Sequence, residues 1–206
     1  MGRLLFLVDE ISTWVGKTFA WCILILTLTT SYEVFSRYIF GAPTSWAFDA
    51  SYILYGTLFM LAGPYALARN GHVRGDFLYR SWSPRRQAYM DLMLYVLFFF
   101  PGMLALVYAG YSFAKMSWLM NEHSAFSPDG PPVYHFKALI PIVGVLMVMQ
   151  GAVEVIRCIM CIRTGEWPQR LHDMEELEKI LIEEAEEEKQ AEINRAENTG
   201  LARGDI

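Results

Sequence analysis

The sequence predicts an all-α integral membrane protein with four transmembrane helices, both termini cytoplasmic, and an acidic, partly helical C-terminal tail. Three observations carry this. Four long apolar stretches occur near Thr13–Phe35, Ser51–Leu67, Met90–Ala114 and Ala138–Ile156, and each approaches the roughly 20 residues needed to cross about 30 Å of hydrocarbon. The composition, 54% hydrophobic and only 19% charged, is too apolar for an ordinary globular surface in water. Charge is also segregated: residues 1–165 hold 12 Lys and Arg against 9 Asp and Glu, whereas residues 166–206 hold 5 against 13. The reading is therefore a membrane domain, 1–165, followed by an acidic cytoplasmic tail, 166–206.

The first span follows a short amphipathic lead in which Asp9 and Glu10 interrupt the apolar run, so no cleavable signal peptide is expected. Thr27, Thr29, Thr30 and Ser31 suit a close helix-packing seam. Near the far end, Glu33 precedes Arg37 by four residues, the spacing of a structural ion pair on one helix face. The connector from Arg37 and Tyr38 to Trp46 carries Gly41 and Pro43 to turn the chain. Thr44 or Ser45 is expected to cap the second helix, with Asp49 in its first turn. Gly63 and Pro64 predict a bend or an early end to that span.

Orientation follows from the arginines. The second loop holds Arg69, Arg74, Arg80, Arg85 and Arg86, whereas the third holds only Lys115 and Lys137, at its ends; the second loop is thus placed in the cytoplasm. Trp82 and Trp167 on the inner side, and Tyr38, Trp46, Trp118 and Tyr134 on the outer, read as interfacial anchors. Within the second loop His72, Arg74 and Asp76 alternate, which would set them along one side of an extended segment. One His and one Asp beside an Arg make a poor metal site; a polar docking strip, with Arg74 pairing a carboxylate of a partner, fits all three residue types.

Ser83 before Pro84 marks the start of the third span, and Phe98 to Gly102 around Pro101 predicts a kink within it. In the fourth span Glu154 lies three residues before Arg157, again the spacing of a local ion pair. Cys158 and Cys161 form a lone C-x-x-C, with no second pair to complete a thiolate metal site, and are expected to be inert, as is Cys22.

These residues do not assemble a reaction centre. There is no Ser/His/Asp set, nucleotide loop, HExxH or basic-aromatic nucleic-acid stripe, so neither an enzyme nor a nucleic-acid partner is expected. A haem-bearing bundle would need histidines inside helices, but His72, His123, His135 and His172 all fall in predicted loops or tail. An internal repeat, paired broken helices or a midplane cluster of acids would mark a self-sufficient transporter, and none is evident. The alternative kept open is an independent, homo-oligomeric channel or transporter with Glu33 and Asp49 lining a pore.

Arg37-Tyr38-Ile39-Phe40-Gly41 with Pro43 and Trp46, followed after a second helix by Gly71-His72-Val73-Arg74-Gly75-Asp76, resembles the small membrane subunit of tripartite ATP-independent periplasmic (TRAP) transporters, the DctQ family. The resemblance covers about residues 12–160. It departs at Gly75, where the family usually has an apolar residue, and at Asp49, where it often has Glu; the acidic tail lies outside it. The resemblance implies a non-catalytic scaffold in a bacterial or archaeal inner membrane. Its partners would be a large DctM-type elevator subunit, a DctP-type periplasmic solute-binding protein and membrane lipids. It implies no cofactor for this chain, with sodium bound by the large subunit and an organic acid anion as solute. Arg37, Tyr38 and Trp46 would hold the outer interface, and His72, Arg74 and Asp76 would order the inner loop or dock on the partner.

Overall fold

A computed structural model describes residues 2–70, 79, 81–128 and 130–170. The chain divides into a unit Met1–Pro168 and a unit Gln169–Ile206; the account below concerns the first. His72, Arg74 and Asp76 and the acidic tail beyond residue 170 lie outside the described residues.

Regular structure among the described residues is helical, apart from one isolated antiparallel bridge between His123 and Pro132. The helices are α1 (Gly2–Ala20), α2 (Cys22–Tyr38), α3 (Ala47–Ala68), α4 (Pro84–Leu94), a π-helical turn (Tyr95–Phe99), α5 (Phe100–Leu119) and α6 (Tyr134–Thr164). They make four segments long and apolar enough to cross a membrane: Leu5–Tyr38, Ala47–Ala68, Pro84–Leu119 and Tyr134–Thr164, of 34, 22, 36 and 31 residues. The surface fits that setting. Leu28, Phe59, Phe98 and Tyr108 are largely exposed, which in water would be an aggregation hazard and in lipid is the expected outer face.

The first span begins well before Thr13. What reads as an amphipathic lead is helix α1, joined to α2 through a single turn residue, Trp21. The face it buries is largely polar: Asp9, Ser12 and Thr13 are covered together with Leu5, while Leu7, Ile11 and Trp14 are exposed along with Glu10 and Lys17. That inverted amphipathicity is wrong for water and right for a helix that must hide its polar groups from lipid. Gly16 lets Tyr65 of α3 lie against the α1 backbone; a Cβ there would fall 2.4 Å from the Tyr65 Cβ. The hydroxyl-rich stretch of α2 is not a seam within this chain. Thr27, Thr30 and Ser31 are exposed, and Thr27 donates its hydroxyl hydrogen bond back to the Ile23 carbonyl at 2.8 Å.

Pro64 does not end α3, which continues to Ala68. The proline is fully buried, and one lost N–H donor is tolerated where neighbouring helices surround it. The expected kink around Pro101 takes a specific form. Pro101 cannot donate to the Leu97 carbonyl and its ring crowds that group, and the preceding turn widens so that the Phe100 N–H reaches the Tyr95 carbonyl, five residues back. Ser83 and Pro84 begin α4, as their order predicts.

α5 and α6 pack closely, Gly144 admitting Val107 where a Cβ would come within 2.6 Å. Phe99, on the π turn, lies over Gly151 of α6 at a spacing that leaves no room for a Cβ, which would fall 2.3 Å from the ring. At the basic end, Leu67, Ala88, Tyr95, Cys158 and Cys161 form the core cluster that joins α3, α4 and α6. Both thiols there are free and buried.

Candidate functional site

The polar side chains gather at the two ends of the bundle. At the basic end, Asp9 and Ser12 of α1 meet Gln150, Glu154 and Arg157 of α6, all five essentially inaccessible. Arg157 forks: Nη1 donates to Glu154 Oε1 at 2.6 Å and to Asp9 Oδ1 at 3.3 Å, while Nη2 donates to Asp9 Oδ2. Gln150 Nε2 donates to the same Asp9 Oδ1 at 2.8 Å, and the Ser12 hydroxyl donates to Gln150 Oε1 at 2.9 Å. The chain thus closes on itself, with the carboxylate of Asp9 accepting from a guanidinium and an amide. A bidentate arginine pair of this kind is among the strongest polar contacts available in a low-dielectric interior. The spacing of Glu154 and Arg157 reveals half of it. Asp9 does not announce itself in the sequence beyond being an acid on an otherwise apolar helix.

At the opposite end a second set staples the two loops. Glu33 accepts from Arg37 Nε at 2.9 Å and Nη2 at 2.5 Å, the pair expected from the spacing, and also from the Thr44 N–H at 3.0 Å and the Thr44 hydroxyl. The turn between is set by Gly41 in the left-handed region, φ +62°, and by the Ser36 hydroxyl donating to the Ala42 carbonyl at 2.5 Å. Thr44 is therefore a partner of Glu33 and not the cap of α3; that position falls to Trp46, which makes no side-chain cap bond. Asp49 is fully buried and accepts from the hydroxyls of Ser124 and Ser127 in the third loop. Ser127 also reaches the Ser45 carbonyl at 2.5 Å.

The third loop is closed by Lys137 Nζ, which donates to both oxygens of Glu122 at 2.6 and 2.5 Å and lies 4.3 Å from the Phe113 ring centroid. The Lys137 hydrogen bond, with its charge, holds the Glu122 carboxyl below the usual carboxylate range. The pair is accordingly intact through mildly acidic pH and is lost only as pH falls through that lowered value.

The residues expected at the outer interface share one hairpin. Arg37 keeps half its side chain open while paired to Glu33; Tyr38 is 79% exposed. Trp46 stacks on Tyr32 with ring centroids 6.1 Å apart. Trp118 and Tyr134 pack edge to face at 4.8 Å across the third loop. Of the inner loop, Tyr79 is described: its hydroxyl donates to Asp91 at 2.7 Å. Among the described residues no group of three or more His, Cys, Asp or Glu is placed to hold a metal ion.

This fold and these polar clusters define a class: a four-span helical membrane protein whose buried acids Asp9, Asp49, Asp91 and Glu154 are each hydrogen-bonded within the chain. The family model for the DctQ component of tripartite ATP-independent periplasmic transporters matches residues 26–160, well over half of the 206-residue chain, and the protein belongs to that family. It is thus a membrane component of a TRAP transporter. Comparison with individually curated proteins gave no match. The matched region takes in Gln150, Glu154 and Arg157, whereas their partners Asp9 and Ser12 precede it.

Proposed function

We propose that this chain is the non-catalytic small subunit of a sodium-coupled, binding-protein-dependent TRAP transporter for an organic acid anion, and that it anchors a large DctM-type elevator subunit in a bacterial or archaeal inner membrane. The observation that carries this reading is the state of the embedded acids. Asp9, Glu33, Asp49, Asp91 and Glu154 are each engaged by side chains of this chain, so that solute and sodium chemistry belongs to the partner. A DctP-type periplasmic protein would deliver the solute. The exposed Thr27, Thr30 and Ser31 of α2, which pack against nothing here, suit close approach of a foreign helix. Arg37, Tyr38 and Trp46 would lie at the outer end of that contact, and His72, Arg74 and Asp76 at the inner loop.

The homo-oligomeric pore reading is disfavoured by Asp49, whose carboxylate is sealed beneath Ser124 and Ser127. Pull-down of the tagged chain from its native membrane in mild detergent, followed by mass spectrometry, tests the assignment. A stoichiometric larger polytopic protein is expected, with its yield reduced by Arg74→Ala. Recovery of this chain alone would contradict the proposal.

A further inference from the structure

Arg85 and Arg86 are adjacent in sequence and part company in space. Arg85 turns toward the far end of α6, its Nε only 3.4 Å from where a Cβ on Gly165 would sit. Arg86 instead lines a cavity of about 480 Å³ together with Trp82, Tyr89, Met90 and Met93. Among the described residues the Arg86 guanidinium, the Trp82 indole N–H and the Tyr89 hydroxyl have no hydrogen-bond or ion-pair partner, and Arg86 and Tyr89 are exposed. An arginine, an indole and a phenol thus line one open groove, with no described partner for their donors. Met90, next to Tyr89 in sequence, and Met93, a turn further along α4, supply an apolar, deformable wall on a span that goes on to the exposed Leu97 and Phe98.

We propose that this cavity is a specific site for an anionic phospholipid of the leaflet at the basic end. The phosphate would lie against Arg86 and the Trp82 and Tyr89 donors, and an acyl chain along Met90 and Met93. The positive-inside rule places this end at the cytoplasmic leaflet, which carries the negative surface potential. Depth agrees as well, since Trp82 and Tyr89 are the residue types that settle at headgroup level. Arginine can present two parallel N–H groups to a phosphate, and a free anion would have no use for the methionine wall. Neither the proposed partner subunit nor the nature of the solute enters this argument.

The full chain, purified and delipidated in detergent, is titrated with phosphatidylglycerol and with phosphatidylcholine of the same acyl chains, and bound lipid is counted by native mass spectrometry. One tightly held phosphatidylglycerol per chain is expected, preferred about tenfold over phosphatidylcholine. Arg86→Gln should remove that preference with helix content unchanged by circular dichroism, Arg86→Lys should restore part of it, and Arg85→Gln should leave it intact. Equal binding of the two lipids, or an Arg86→Gln protein that keeps the preference, would overturn the proposal. So would displacement of the lipid by millimolar inorganic phosphate, which would mark a free-anion site. Loss of a co-purifying polytopic protein from Arg86→Gln with lipid binding unchanged would make the cavity a protein interface and overturn it equally.

Discussion

A single carboxylate, Asp9, ties α1 to α6. It sits on the buried face of a helix whose other faces are built for lipid, and its partners come from 141 and 148 residues away. Removing one member of a buried ion pair leaves the other charge uncompensated, which typically costs about 3–5 kcal/mol. Arg157→Gln, which strands both Asp9 and Glu154, should lower the thermal unfolding midpoint in detergent substantially; Asp9→Asn, which leaves Arg157 its pair with Glu154, should lower it less, and the double variant should lose less than the two single losses added together, because the Asp9–Arg157 contact can be lost only once. Strict additivity would show that the two side chains do not interact. The sequence makes the local half of such pairs readable: Glu33 with Arg37 and Glu154 with Arg157 follow from helical spacing alone. It hides the long-range half. Asp49 reads as a helix-dipole residue, and nothing near it in sequence shows that Ser124 and Ser127, 75 and 78 residues on, will close over it.

Among the elements, the π turn at Tyr95–Phe99 sets one close contact between helices. Pro101 makes a departure from α geometry legible in the sequence, but its form depends on the helix opposite, because the widened turn carries Phe99 over Gly151. Gly151→Leu should therefore destabilise the fold by about 1–3 kcal/mol through overpacking, measured by thermal or denaturant unfolding. Gly102→Ala, one turn from the same feature, meets nothing within 4 Å and should be neutral or stabilising by about 0.5–1 kcal/mol. Equal effects at the two positions would refute the contact. Helix existence and order were legible from apolar runs, and the start at Ser83 and Pro84 from capping chemistry. The extents were not. α1 looks like a lead segment because Asp9 is read as solvent-facing together with Glu10, when Asp9 marks the buried side and of the two only Glu10 is exposed; α3 outlasts Pro64 because its neighbours cover the broken ladder.

For the molecule as a whole, the four spans carry a hydrogen-bonded polar cluster toward each end and exposed apolar side chains between them. The proposed function gives such a protein the part of holding a partner in place of moving solute itself, and its membership in the DctQ family makes it a component of a larger transporter. Proteoliposomes loaded with a fluorescent sodium indicator test this most directly, because the assay needs no knowledge of the solute. The chain reconstituted alone should leak sodium no faster than empty vesicles. A sodium flux from this chain alone, abolished by Glu33→Gln or Asp49→Asn, would make it a conductor in its own right and contradict the account.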